Sequence, residues 1–192
     1  MSLTLITAPA IEPLTLADAK AHARVSVTDD DALITAFIQA ARERCENMLG
    51  RALITQTWEK VLDQFPTAIQ LSWPPIQSIV SVKYIDANGA QQTLAPANYV
   101  LDNAAEPGWL VPAINATWPD TQDVINAVRV QYKTGYGDTA ASIPESIKAW
   151  LKVTISTLYE NREHLIVGQS PAVLPGRHID GLLDRYTILQ LF

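Results

Sequence analysis

The sequence predicts an α+β fold in which a helical body, with two N-terminal helices and one or two C-terminal helices, is interrupted by an inserted antiparallel β-sheet. Residues 14–50 and 143–164 carry apolar side chains at helical spacing, whereas residues 53–135 consist of short β-like runs separated by turn residues. Seven of the twelve prolines fall between Pro66 and Pro119, which suits edge strands and loops better than a long parallel sheet.

Two helices are predicted within the first fifty residues. Thr15 can cap a short helix over residues 16–24, and Asp18 supplies the acid of a capping box. The run Asp29-Asp30-Asp31 precedes a longer helix, because acids at a helix start complement its dipole and supply caps, and Gly50 is placed to end it. The apolar face of the longer helix comprises Leu33, Ile34, Phe37, Ile38, Ala41, Cys45 and Met48. Its polar face comprises Gln39, Arg42, Glu43, Glu46 and Asn47.

The middle of the chain predicts an antiparallel sheet. Six runs rich in β-branched and aromatic residues are predicted as strands: Gln56–Leu62, Ile69–Leu71, Ile79–Ile85, Asn98–Leu101, Trp109–Val111 and Ala127–Tyr132. The sequence Asp86-Ala87-Asn88-Gly89 signals a hairpin, since Asn-Gly tolerates positive φ. No helical pattern separates these runs, so neighbouring strands are expected to be antiparallel.

Helix returns near the C-terminal end. Pro144 at the first helical position and Glu145 in the first turn predict a helix over residues 143–164. A loop rich in Pro and Gly and a short amphipathic arm follow, together spanning residues 165–192. We expect one domain over residues 1–192, since this length suits a single hydrophobic core.

Composition excludes several classes of protein. The 192 residues are 48% hydrophobic and 18% charged, which supports a folded core and excludes global disorder. No apolar stretch is long enough for a membrane span, and the first residues lack a signal-peptide pattern, so we expect synthesis in a cytoplasm. The net charge of −6 argues against nucleic-acid binding as the main function.

Few residues suggest catalysis or metal binding. The three histidines are isolated and lack metal-ligand spacing; they are His22, His164 and His178. Cys45, the single cysteine, excludes intrachain disulfides and falls in register with the apolar face of its helix. The run Asp29-Asp30-Asp31 lacks the alternate spacing of a calcium loop. The glycine-rich run at residues 134–138 lacks the Lys-Ser/Thr of a phosphate loop and is interpreted as a turn. We therefore predict no catalytic residue, no metal, no cofactor and no enzymatic activity.

Several short pieces, spread in order over nearly the whole chain, match the pattern of a known family. They are residues 12–25, Asp29-Asp30-Asp31, Leu33-Ile34, Ala40-Ala41-Arg42-Glu43, Thr55-Gln56-Thr57-Trp58, the run Tyr132–Gly137, the run Pro144–Lys148 and the run Tyr159–Glu163. This order resembles the head–tail connector proteins of tailed bacteriophages. The resemblance is to the longer branch, described as DNA-packaging or head-completion proteins, in which a β-rich segment interrupts the helical body.

The resemblance implies a structural virion protein that forms a ring beneath the portal after the genome is packaged. Its implied partners are the portal protein, the tail or a further head-completion protein, and other copies of itself in a ring expected to be twelve-fold. It implies a location at the head–tail junction, no membrane contact, and only non-specific contact with passing DNA.

A ring subunit also needs a heterologous interface that closes by rotation. The apolar composition of residues 179–192 suits an arm that reaches a neighbour, and suits equally a terminal segment packed on its own body. The predicted assembly residues are Leu182, Leu183, Tyr186, Leu189, Leu191 and Phe192.

Two alternative functions stay open at this point. The chain could be a small-ligand-binding protein or an enzyme with its site in the β region, near Trp58, Trp73, Trp109 and Trp118. It could also be a sequence-specific DNA-packaging factor, although the negative charge and the lack of a basic stripe disfavour this function.

Overall fold

The computed structural model describes residues 2–161 and 177–188. The chain divides into two compact units. The β unit comprises Met1–Ala10 and Ile54–Tyr136, and the helical unit comprises Ile11–Leu53 and Gly137–Phe192. The predicted α+β class with antiparallel sheets is confirmed, since the long helices belong to one unit and the strands to the other.

The described part of the β unit contains two antiparallel sheets. The strands are β1 (Ser2–Thr7), β2 (Gln56–Leu62), β3 (Ile69–Leu71), β4 (Ile76–Ile85), β5 (Gln91–Thr93), β6 (Tyr99–Asp102), β7 (Gly108–Pro112) and β8 (Val128–Thr134). The five-stranded sheet has the order β1-β2-β8-β4-β5, and the three-stranded sheet has the order β3-β7-β6.

One hydrophobic core joins residues of both sheets. Strand β8 contributes one face to this core, because its side chains alternate between the two faces of the sheet. Val130 and Tyr132 are fully buried, whereas Arg129 and Lys133 are exposed. Directly paired residues share a face, so Val130 and its partner Val82 on β4 both face this core. The buried members of the core are Leu62, Ile69, Leu71, Ile76, Val82, Leu94, Leu110, Val128, Val130 and Tyr132.

All six predicted strands are present, with ends that differ by up to three residues. The predicted hairpin between β4 and β5 is also confirmed. The Asp86 carboxylate accepts hydrogen bonds from the backbone N–H groups of Asn88 (2.9 Å) and Ala90 (3.0 Å), and Gly89 has a φ of 84°. Strands β1 and β5 were not predicted, and they form the two edges of the larger sheet.

The helical unit contains α1 (Leu16–Ala23), α2 (Asp31–Leu49), α3 (Glu145–Glu160) and the short α4 (Arg177–Asp180). The predicted capping box is confirmed, since Thr15 Oγ1 accepts from the Asp18 N–H at 3.1 Å and Asp18 Oδ2 accepts from the Thr15 N–H at 3.3 Å. The hydroxyl and backbone N–H of Thr15 lower the pKa of Asp18. Gly50, with a φ of 65°, ends α2 as predicted.

Apolar stripes of the three long helices are buried in this unit. Helix α1 buries Ala19. Helices α2 and α3 bury the apolar residues Ile34, Ile38, Ala41, Cys45, Leu49, Ile147, Trp150, Leu151 and Ile155. The predicted loop at 165–178 and His164 fall in or across residues 162–176, which lie outside the described residues.

The prediction that Asp29-Asp30-Asp31 supplies side-chain caps to α2 is wrong. Asp30 is the N-cap residue but makes no side-chain cap hydrogen bond, and its Oδ2 accepts from the Tyr159 hydroxyl at 2.7 Å. Asp31 forms an ion pair with Lys20 of α1. These acids therefore connect α1, the start of α2 and the end of α3, because tertiary partners compete with the local backbone for the same carboxylates.

Candidate assembly surfaces

The described C-terminal segment, residues 177–188, lies against the rest of the helical unit. Trp150 Nε1 donates to Asp180 Oδ1 at 3.0 Å. The Ile188 N–H donates to the Leu49 carbonyl at 2.9 Å. These contacts hold both ends of the segment to α2 and α3.

The structure places three of the six predicted assembly residues in this segment. Leu183 is only 2% exposed, and Tyr186 is half-buried with its carbonyl accepting from Arg51 Nε. Leu182 is 40% exposed and therefore lies at the surface. The other three predicted residues, Leu189, Leu191 and Phe192, lie outside the described residues.

A buried ion-pair network joins three parts of the helical unit. Arg42 on α2 is 7% exposed; its Nε donates to Glu12 at 2.8 Å, and its Nη1 donates to Glu46 at 2.9 Å. The other oxygen of Glu46 accepts from the backbone N–H of Leu53 at 2.9 Å. Burial alone would lower the pKa of Arg42, but the Glu12 hydrogen bond and the Glu46 charge raise it above its ordinary value.

This network covers part of the predicted polar face of α2. Arg42 and Glu46 belong to that face, and both are buried. The segment at Glu12 and the turn at Leu53 supply the partners for this stripe of the helix. A charged pair at this depth is tolerated because its charges are matched and hydrogen-bonded.

Cys45 is fully buried on α2, as predicted for a core residue. Burial, together with the neighbouring Glu46 charge, raises the pKa of its thiol to about 12. Because the thiolate is the reactive form, the folded protein holds Cys45 in an unreactive state.

We expect native Cys45 to resist Ellman's reagent at about pH 8 and to react at the rate of a free thiol in denaturant. The measurement is the absorbance of released nitrothiobenzoate with and without urea. The control is a Cys45→Ala variant carrying an exposed Met48→Cys, which should react without denaturant. Equal rates for native Cys45 and this control would contradict the buried, neutral thiol.

Aromatic rings in the β unit stack on one another. Trp58 and Trp73 have centroids 5.2 Å apart with planes 8° from parallel, and Phe65 and Trp118 have centroids 4.8 Å apart. Trp109 on β7 is 37% exposed. Three of the four tryptophans considered for a ligand site thus use a ring face for internal packing.

No group of His, Cys, Asp and Glu suited to a metal ion occurs within residues 2–161 and 177–188.

The long connection between β7 and β8, residues 113–127, carries two exposed isoleucines that were not predicted. Ile114 is 92% exposed and Ile125 is 79% exposed. The connection is nevertheless anchored: Trp118 stacks on Phe65, and the Asn126 N–H donates to Asp63 at 2.8 Å. The connection therefore presents two exposed isoleucines on a backbone that is anchored at Phe65 and Asp63.

A groove of about 490 Å³ lies beside the C-terminal end of this loop on the five-stranded sheet. It is lined by Glu59, Lys83, Tyr84, Ile85, Gln91, Ile125, Asn126, Ala127 and Arg129. Within it, Arg129 pairs with Glu59 at 3.1 Å, so charge and apolar surface adjoin.

In the part of the chain that the structure describes, no helix has both the length and the apolar character to span a membrane.

Comparison with known proteins confirms the predicted resemblance. Residues 13–93 match the model of the phage gp6-like head-tail connector protein family. No curated protein matches the sequence.

Solved structures share the fold over the whole chain. In the virion of a native gene transfer agent (GTA) particle, one chain aligns with a TM-score of 0.81 and 18% identity. A chain in the neck of an empty GTA particle computed with C6 symmetry aligns with a TM-score of 0.79 and 21% identity. A chain in the neck of a native GTA particle computed with C12 symmetry aligns with a TM-score of 0.75 and 19% identity. Each alignment covers 100% of this chain and 98% of the other.

Proposed function

We propose that this chain is a structural subunit of the head–tail junction of a phage-like particle, where its copies form a ring between the head and the tail. The observation that carries the proposal is the agreement of two independent comparisons. The sequence of residues 13–93 matches a head-tail connector family, and the complete fold matches chains from particle necks.

The symmetry of the matched necks supports a closed ring. Those structures were computed with C6 and C12 symmetry. We infer a ring of this chain, with twelve copies as the expected number, that contacts the portal protein on one side and the tail or a further head-completion protein on the other. Passing DNA meets a chain of net charge −6, which suits sliding without tight binding.

The surfaces of the chain suit this role. A ring subunit needs rigid parts and an interface that repeats head to tail. The helical unit is held by the buried Arg42 network, and the β unit presents the exposed Ile114 and Ile125 on an anchored loop. Exposed apolar residues on a rigid support favour contact with another protein.

Deletion of the gene from the phage or prophage genome that carries it tests the proposal. We expect lysates to contain filled or leaking heads separated from free tails, because the junction would be incomplete. Negative-stain electron microscopy and infectious titre are the measurements, and expression of the gene from a plasmid is the control that restores joined particles. Normal infectious particles from the deletion would overturn the proposed function.

A further inference from the structure

The five-stranded sheet has two open edges. Strand β1 pairs only with β2, and β5 pairs only with β4. In the described residues, no further strand therefore lies beside the outer backbone groups of β1 or β5. All three residues of β5 are exposed, as are five of the six residues of β1.

Neither edge carries the charges or prolines that usually block strand pairing. Soluble proteins protect sheet edges with lysines, prolines, bulges, covering segments or very short edge strands. Among the described residues, the only such features here are the shortness of β5, with three residues, and one irregularity in β1. Strands β1 and β5 contain no charged residue and no proline. A register shift between Leu5 and Thr7 disturbs β1, which leaves Ser2–Leu5 as its regular part. On the same strand Leu5 is 40% exposed and Ile6 is 48% exposed, so apolar surface accompanies the open backbone.

The two edges lie at opposite ends of one sheet, which is the arrangement that a head-to-tail contact requires. An exposed sheet edge can bind a further strand through main-chain hydrogen bonds. When β1 of one copy pairs with β5 of the next, each added copy leaves one β1 and one β5 free at the ends, so the contact repeats until rotation closes it. Both edges are uncharged, so this pairing brings no like charges together in a chain of net charge −6.

The direction of this pairing also follows from the sheet. Each neighbouring pair in the order β1-β2-β8-β4-β5 is antiparallel, so β1 and β5 run in the same direction. Copies related by rotation around a ring keep that direction, so the new pair is parallel. The register also places Thr4 and Thr93 on the same face. Thr4 pairs with Glu59 on β2, and Thr93 pairs with Lys83, whose partner on β8 is Arg129. Glu59 and Arg129 form an ion pair on one face of the sheet, so both threonines lie on that face.

We propose that the β1 edge of one copy binds the β5 edge of the next, so that the five-stranded sheets join as parallel neighbours around the ring. This inference rests on the proposed function and names the partner surface as a second copy of this chain.

Cysteine cross-linking in assembled particles tests the pairing. The double variant Thr4→Cys/Thr93→Cys is treated with a short bismaleimide, and the product is separated on a denaturing gel. Native Cys45 is buried, so it should not react with the bismaleimide. We expect a ladder of multimers from the double variant and no ladder from either single variant. The matched control, Val100→Cys/Thr93→Cys, places one cysteine on β6 of the other sheet at a site 48% exposed, and it should also give no ladder.

Two outcomes would overturn the pairing while leaving the proposed function intact. One is the absence of a ladder from particles in which mass spectrometry detects the double variant. The other is a dimer from Thr4→Cys alone, which would indicate a two-fold β1–β1 contact. A different result would show that the proposed function itself is wrong: joined infectious particles would then form without the gene.

Charge at the edge gives a second test. Thr4→Lys adds a lysine to the regular part of β1 at an exposed position, and we expect a folded protein, by circular dichroism and thermal melting, that enters particles at least tenfold less than the wild type. Val100→Lys adds a lysine at an exposed position of β6 and should enter particles normally. Normal incorporation of Thr4→Lys would overturn the proposal.

Discussion

Arg42→Ala is expected to destabilise the helical unit by about 3–5 kcal/mol, the usual cost of removing one partner from a buried ion pair. Glu46 would remain in a site where its side chain is only 8% exposed. Its second oxygen would still accept from the Leu53 N–H, but its charge would lose the guanidinium at 2.9 Å. Glu12 would lose its partner as well.

The labelling rate of Cys45 measures this loss directly, because the thiol lies on the same helix and reacts only when the helical unit opens. An increase in opening of about 3 kcal/mol corresponds to labelling at least about 100-fold faster. Arg44→Ala is the matched control, since Arg44 is exposed on the same helix, and its effect should stay within about 0.5 kcal/mol. Similar labelling rates in the two variants would contradict a stabilising role for the network.

The double variant Arg42→Leu/Glu46→Leu separates charge matching from packing. We expect it to be more stable than Arg42→Ala, because no carboxylate is then left buried at position 46. The Leu53 N–H loses its acceptor, so some destabilisation persists. A double variant less stable than Arg42→Ala would show that the Leu53 contact outweighs the ion pair.

Apolar periodicity predicted the position of α2 but could not identify its buried charges. The stripe that carries Arg42 looks polar within its own helix, and its partner Glu12 lies 30 residues away in the sequence. Local spacing contains no information on which chain segment covers a polar stripe. The capping box at Thr15 was predictable because all its atoms lie within three residues.

Strands β1 and β5, at the edges of the larger sheet, were not predicted for a similar reason. Strand β5 has three residues, too few for a two-residue period to stand out. Strand β1 has the alternation of a strand only in part, and its pairing partner β2 begins 49 residues after β1 ends. The sheet edges that we propose to join are therefore features of tertiary pairing.

The predicted assembly residues show what composition can and cannot establish. The terminal segment is amphipathic, and that pattern alone fits an arm or a docked segment. Leu183 is buried, and the local pattern does not specify the contacts that hold its segment to α2 and α3. Ile114 and Ile125 were missed because single isoleucines in a polar loop give no periodic pattern, and the residues that anchor this loop, Phe65 and Asp63, lie far away in the sequence.

Gly135→Ala is expected to destabilise the β unit by about 3 kcal/mol or more, because a backbone clash adds to an unfavourable dihedral angle. Gly135 has a φ of 120°, and an added Cβ would lie 2.5 Å from the Ile54 carbonyl oxygen and 2.8 Å from the Thr55 nitrogen. Both neighbours are backbone atoms, so no side-chain rotation can relieve the contact. The glycine run predicted as a turn is thus required by a close approach of two chain segments.

Gly89→Ala is the matched control for this substitution. Gly89 also has a positive φ, of 84°, but its added Cβ would meet only the flexible Gln122 side chain, at 3.4 Å. Its cost should be about 1–2 kcal/mol, from the left-handed conformation alone. Urea unfolding followed by tryptophan fluorescence measures both variants, since four of the five tryptophans belong to the β unit. Equal losses would mean that dihedral strain accounts for the whole effect, whereas a larger loss at Gly135 would locate a packing constraint where β8 ends beside the residues leading into β2.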